Sequence, residues 1–146
     1  MSDIKLNVND KQVNAYFVDG GGAGVLVLHA WWGLKPFFKE FCDRLANEGF
    51  TVLAPDLRNG EVAQTIDEAK ALMEKSDGQF VGDTVMAAKK YLREKVKNKI
   101  GVVGFSMGGA WALVLASNTP DEIGATVLFY GNEGVDYAKV TSKVMG

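Results

Sequence analysis

Two short stretches that alternate apolar and polar side chains, Ile4 to Val8 and Val13 to Val18, flank the polar run Asn9-Asp10-Lys11. That pattern predicts a β-hairpin. The glycine-rich segment from Asp19 to Gly24 interrupts it. The next run, 24–29, is almost wholly apolar and closes on His29. A run of this kind suits a strand buried on both faces of a parallel sheet. From Pro36 the apolar period lengthens to that of a helix, placing Phe37, Phe38, Phe41, Cys42, Leu45 and Ala46 on one face, with Gly49 as the cap. A second buried strand follows at 51–55. Thr65 and Glu68 then form a T-x-x-E capping box ahead of Ala69, Leu72 and Met73.

A longer helix is predicted next, with Phe80, Val81, Thr84, Val85, Ala88, Tyr91 and Leu92 on one stripe. The run 99–105 reads as a strand, "GGAWALVLAS" as a mostly buried helix containing Trp111, and 125–130 as a strand buried on both faces. A seventh strand is expected to begin within "SKVMG". Alternating strands and helices after an opening hairpin predict an α/β fold, its sheet parallel except near the start and carrying helices on both faces. No repeat or linker divides the chain, so 1–146 is expected to be a single domain. Its sheet is expected to stop at about strand seven.

Composition removes several function classes. With 16 Lys and Arg against 18 Asp and Glu the net charge is -2, and the signs are well mixed. Neither a nucleic-acid stripe nor a polybasic membrane anchor is expected. No run approaches the roughly 20 apolar residues of a membrane span, and the first ten residues lack the features of a secretory signal. A cytoplasmic location is the expectation. Cys42 is the one cysteine, so neither an internal disulfide nor a cysteine zinc cluster is expected. The glycine runs have neither P-loop nor dinucleotide-fingerprint spacing. No cofactor and no metal are therefore expected.

"GFSMG", residues 104–108, matches G-x-S-x-G where a strand meets a helix. A nucleophile held there sits on a sharp turn, and the glycines two residues away on each side remove Cβ atoms that would clash. The turn lifts the Ser106 hydroxyl above the carboxyl end of the sheet. The amide of Met107 then points to where an acyl oxyanion would form.

"LHAWWGLKP" follows the third strand, where a second oxyanion amide is expected, here that of Trp31. Together with "APDL" after strand four, "GFSMGG" after strand five and "FYG" at the end of strand six, the chain resembles the dienelactone hydrolase family of α/β-hydrolases over essentially its whole length. The resemblance implies an α/β-hydrolase-type sheet and a carboxylic-ester or lactone hydrolase acting through an acyl-enzyme. Founding members of that family carry a cysteine nucleophile and a loop glutamate that interacts with its thiol. Ser106 and Ala30 stand at those positions here, so a serine esterase of different preference is implied. Candidates for the substrate pocket are His29, Trp32 and Arg58. For His29 a backbone-bonding role that shapes the loop is weighed against service as a substitute base. For Arg58 a solvated loop arginine is weighed against a partner for a substrate carboxylate. Asp56 is expected to fix a turn, and Cys42 and Trp111 to lie in the core.

In this fold the acid and the histidine follow the nucleophile in chain order. His29 is the one histidine and precedes Ser106. Glu133 and Asp136 are candidates for the acid in principle. The sequence is therefore expected to be the N-terminal part of a serine hydrolase and nearly inactive by itself. The alternatives are a binding or scaffold protein on a hydrolase fold, or one half of a split enzyme completed by another chain. Its expected partners are a small ester or lactone and, through an exposed sheet edge, a second copy of itself.

Overall fold

The computed structural model describes residues 2–29, 33–34, 36–58, 62–74, 78–96, 98–105, 107–119, 121–129 and 143–145. Strands β1 (Ser2–Val8) and β2 (Lys11–Val18) form the hairpin. Its two-residue turn holds Asn9 at φ 48° and Asp10 at φ 66°. Asn and Asp tolerate this left-handed backbone, and the turn's twist matches that of the strands. Strands β3 (Gly24–Leu28), β4 (Thr51–Pro55), β5 (Ile100–Phe105), β6 (Ile123–Phe129) and β7 (Lys143–Met145) complete a seven-stranded sheet. The order is β1-β2-β4-β3-β5-β6-β7. β2 pairs antiparallel with both β1 and β4, and every pairing from β4 onward through the sheet is parallel. The α/β-hydrolase class expected from the sequence is the class observed.

Helices α1 (Pro36–Asn47), α2 (Ile66–Glu74), α3 (Gly78–Val96) and α4 (Met107–Asn118) connect the strands. Thr65 caps α2 as expected: its Oγ1 accepts the Glu68 amide at 3.1 Å and donates to Glu68 Oε2 at 3.0 Å. At the end of α1, Gly49 takes φ 99° while its amide and that of Phe50 donate to the carbonyls of Ala46 and Leu45. The glycine-rich loop before β3 owes its composition to packing. A Cβ on Gly20 would stand 2.1 Å from the Phe50 carbonyl oxygen, and one on Gly22 2.3 Å from that of Gly49.

One sheet face buries Leu26, Leu28, Ile100, Val102 and Ile123 beneath Val85, Leu92 and Leu113 of α3 and α4. The other buries Val27, Val52, Val103 and Phe105 beneath Phe38 and Cys42 of α1. Three expectations need correction. Phe37, placed on the core face of α1 by its spacing, is 55% exposed, because the buried stripe runs through Phe38 and Cys42 instead. β6 is not closed on both faces: Ile123 and Thr126 are buried, Gly124 is exposed, and Ala125 and Val127 are half-buried. Trp111 is also only half-buried, its indole lying against α3 at Gly82, where a Cβ would come within 3.2 Å of the ring.

Lys89 of α3 was missed by the apolar stripe. It is buried and paired with Glu122, which Arg93 also approaches at 3.8 Å. Its methylene stem covers core while its charged end is neutralised.

Candidate active site

The carboxyl ends of β3, β4 and β5 lie together at one end of the sheet. In the ladder between β3 and β5, Leu28 lies opposite Gly104. The carboxyl ends of β3 and β5 therefore lie side by side. β5 ends at Phe105 and α4 begins at Met107. One residue, Ser106, separates a central strand from a helix of 12 residues. The first amides of a helix have no intrahelical acceptor, and the aligned peptide dipoles give that end positive potential. The Met107 amide belongs to this set. Ser106, Trp31, Trp32, Glu133 and Asp136 lie outside the described residues, as does Ala30.

His29 is fully buried, and its Nε2 accepts the backbone amide of Leu57 at 2.8 Å. An accepting Nε2 carries no proton, so the neutral ring holds its proton on Nδ1. The imidazole also lies against the Phe38 ring, with centroids 6.0 Å apart. It ties the turn after β4 to the end of β3, one residue before the loop that leads to Trp31.

Asp56 braces the same turn from the other side. Its amide donates to the Asn14 carbonyl at 2.8 Å, and its Oδ1 accepts the Arg58 amide at 2.9 Å. The second bond is the turn-fixing contact anticipated for this residue. Asp56 Oδ1 stands 4.0 Å from His29 Nε2.

Arg58 departs from the solvated-loop reading, because only 4% of it is accessible. Burial lowers its pKa, and the Asp56 carboxylate opposes that shift. The chain ran against expectation here because a cation at the end of a buried strand was judged without its neighbour. The carboxylate two residues earlier offsets part of the cost of burying the cation.

A group of phenylalanines packs around Phe105, the residue before Ser106 in the sequence. The rings of Phe38, Phe41 and Phe37 meet that of Phe105 edge-on, at 5.2, 5.3 and 6.0 Å between centroids. Apolar spacing along α1 identified these three as a face but did not reveal their shared contact with the residue before Ser106. Cys42, one turn further along, is fully buried, and burial pushes its thiol up to about 12. It is packing material rather than a nucleophile. Among the described residues no cluster of three or more His, Cys, Asp or Glu could hold a metal ion, and no helix is long and apolar enough to cross a membrane.

The sequence pattern of the dienelactone hydrolase family matches residues 13–144. The chain belongs to that family. It is 38% identical over 141 residues to "Protein usf" of Aquifex pyrophilus, covering 88% of this chain and 60% of that protein. It is 28% identical to a carboxymethylenebutenolidase of Rhodococcus opacus, covering 85% of this chain and 50% of that protein. A solved dienelactone hydrolase-like promiscuous phosphotriesterase from metagenomic libraries superposes with a TM-score of 0.76 at 26% identity, covering 98% of this chain and 66% of the other. The chain thus spans between half and two thirds of the length of these dienelactone hydrolase relatives.

Proposed function

We propose that this chain carries the nucleophile and oxyanion hole of a carboxylic-ester or lactone hydrolase. The observation that carries the reading is the single-residue junction at Ser106 between β5 and α4, beside the end of β3. In this reading Ser106 Oγ attacks the ester carbonyl carbon, and the amides of Met107 and Trp31 receive the oxyanion. The C–O bond to the leaving group breaks, and the serine proton passes through a base to the departing oxygen. Water then adds to the acyl-serine, releasing the carboxylic acid and restoring Ser106.

The base must come from elsewhere. His29 is the one histidine, and its Nε2 is engaged by the Leu57 amide. A serine hydroxyl without an adjacent base is a weak nucleophile. The 146 residues alone are therefore expected to acylate slowly, with the acid and the histidine contributed by further polypeptide. The bond at His29 is the observation that favours this over His29 as the base. Covalent labelling of Ser106 by a fluorophosphonate, with Ser106→Ala as control, tests the assignment.

A further inference from the structure

β1 is the outermost strand of the sheet on the side away from β7. It pairs with β2 along the whole of Ser2–Val8, and among the described residues no strand covers its other edge. The hairpin fixes which backbone groups that edge presents. Val8 and Lys11 are partners on either side of the two-residue turn, and such a flanking pair exchanges hydrogen bonds. Bonded and non-bonded pairs then alternate down the ladder, which leaves Asn7, Lys5 and Asp3 in non-bonded pairs. Their amides and carbonyls therefore point away from β2. The partner strand bears out this alternation. The carbonyl of Asn14, opposite Lys5, turns away from β1 and accepts the Asp56 amide at 2.8 Å.

The same three residues carry exposed side chains, while Leu6 and Val8 are buried on the opposite face. Two copies related by a two-fold axis and paired antiparallel along this edge must bond through Asp3, Lys5 and Asn7, so few registers are open to them. Centring the pair on Lys5 sets lysine against lysine, and centring it on Asp3 sets carboxylate against carboxylate. Both repel. Centring it on Leu6 sets Lys5 against Asn7, with no ion pair. Centring it on Ile4 places Asp3 of each copy opposite Lys5 of the other, and each of these two pairs exchanges both of its N–H···O bonds. We propose that β1 is a docking edge for a second copy of this chain, paired antiparallel about Ile4 into one sheet continuous across both copies. Lysine on an open edge ordinarily discourages pairing. Here the carboxylate two residues before it turns the charge into a choice of register. Within one copy the two side chains hold only exposed contacts, Asp3 to Lys39 Nζ at 3.4 Å and Lys5 to Asn14 Oδ1 at 2.9 Å. Exposed contacts of this kind contribute little and yield readily to a partner.

Sedimentation velocity of the whole chain over a concentration series tests this. The wild type should form a dimer. Lys5→Glu sets two carboxylates against each other at both pairs, and Asp3→Lys sets two cations there, so each should weaken the dimer by about tenfold or more. An equimolar mixture of these two variants again places a cation opposite a carboxylate at both pairs and should recover a dimer of wild-type strength. Lys5→Pro removes an outward amide that β2 does not use, so it should abolish the dimer while the hairpin survives. If Lys5→Pro proves unfolded by its urea midpoint, the two charge variants and their mixture still decide. A monomeric wild type, or a mixture no more associated than its components, would overturn the proposal. Association undiminished in both charge variants would overturn it as well, by placing the contact at another edge such as β7.

Discussion

His29→Leu is the substitution that most cleanly separates packing from polar bracing near the site. Leucine has a volume close to that of histidine, so the space against Phe38 stays filled. What disappears is the acceptor for the Leu57 amide, now 2.8 Å from Nε2. Leu57 is buried, so water cannot easily take over that bond. A buried donor left without an acceptor costs about 1–3 kcal/mol, more than the net worth of the bond itself. For a domain whose total stability is of order 5–15 kcal/mol, a loss of that size is readily measured. The assay is equilibrium urea unfolding together with hydrogen exchange at the Leu57 amide. His29→Leu should lower stability by about 2 kcal/mol and raise Leu57 exchange by at least tenfold. His29→Gln, whose side-chain carbonyl can accept, should recover part of both. If His29→Leu is as stable as wild type within about 0.5 kcal/mol, or if Leu57 exchange is unchanged, the imidazole does not brace this turn.

Three further outcomes follow from the packing. Cys42 should resist thiol reagents in the native state and react on unfolding; its folded pKa, pushed up to about 12, lies above the unfolded value, so its contribution is intact below the unfolded pKa and drains away at up to about 1.4 kcal/mol per pH unit as pH rises toward 12. A cysteine-dependent loss of stability on acidification, compared with Cys42→Ala, would contradict this. Gly20→Ala should destabilise the fold by more than about 2 kcal/mol in thermal unfolding, because its Cβ meets backbone at 2.1 Å, whereas Gly21→Ala, at φ 87° in open space, should lose only the ~1–2 kcal/mol of a left-handed alanine. Among the described residues β7 is the outermost strand on the β6 side and pairs with β6 over Ala125 to Val127, an edge that another strand can extend; light scattering of the 146-residue chain should show concentration-dependent self-association, and a monomer at high concentration would refute it.

Much of this architecture was legible because β3 and β4 are buried along their whole length, and unbroken apolar runs bounded by glycine leave few other readings. The helix starts were legible where local chemistry sets them, at Pro36 and at the Thr65–Glu68 box. The misplacements share a physical origin. Phe37, Trp111 and the two faces of β6 were judged by apolarity, but burial depends on which neighbouring element covers a position. Phe37 lies at the edge of the stripe centred on Phe38 and Cys42, so it remains exposed. Arg58 and Lys89 erred in the opposite sense. A cation reads as surface until its neighbours in space are known: Lys89 pairs with Glu122, 33 positions away, and Arg58 follows a turn held by the Asp56 carboxylate. At the candidate site, G-x-S-x-G could be read because a nucleophile held on a sharp strand-to-helix turn requires small residues at fixed offsets. The backbone-bonding role of His29 was anticipated, but its partner, the Leu57 amide, could not be read residue by residue, because the bond joins two segments brought together by the pairing of β3 with β4.

The central proposal is that Ser106 is the nucleophile and that His29 is not its base. Incubation with a fluorophosphonate, followed by peptide mass spectrometry over a time course, tests it directly. The account predicts one adduct, on Ser106, that forms slowly, is abolished by Ser106→Ala and persists in His29→Gln. Fast stoichiometric labelling lost in His29→Gln would show that His29 serves as the base, and labelling spread over other hydroxyls with Ser106 unmodified would contradict the assignment of the nucleophile.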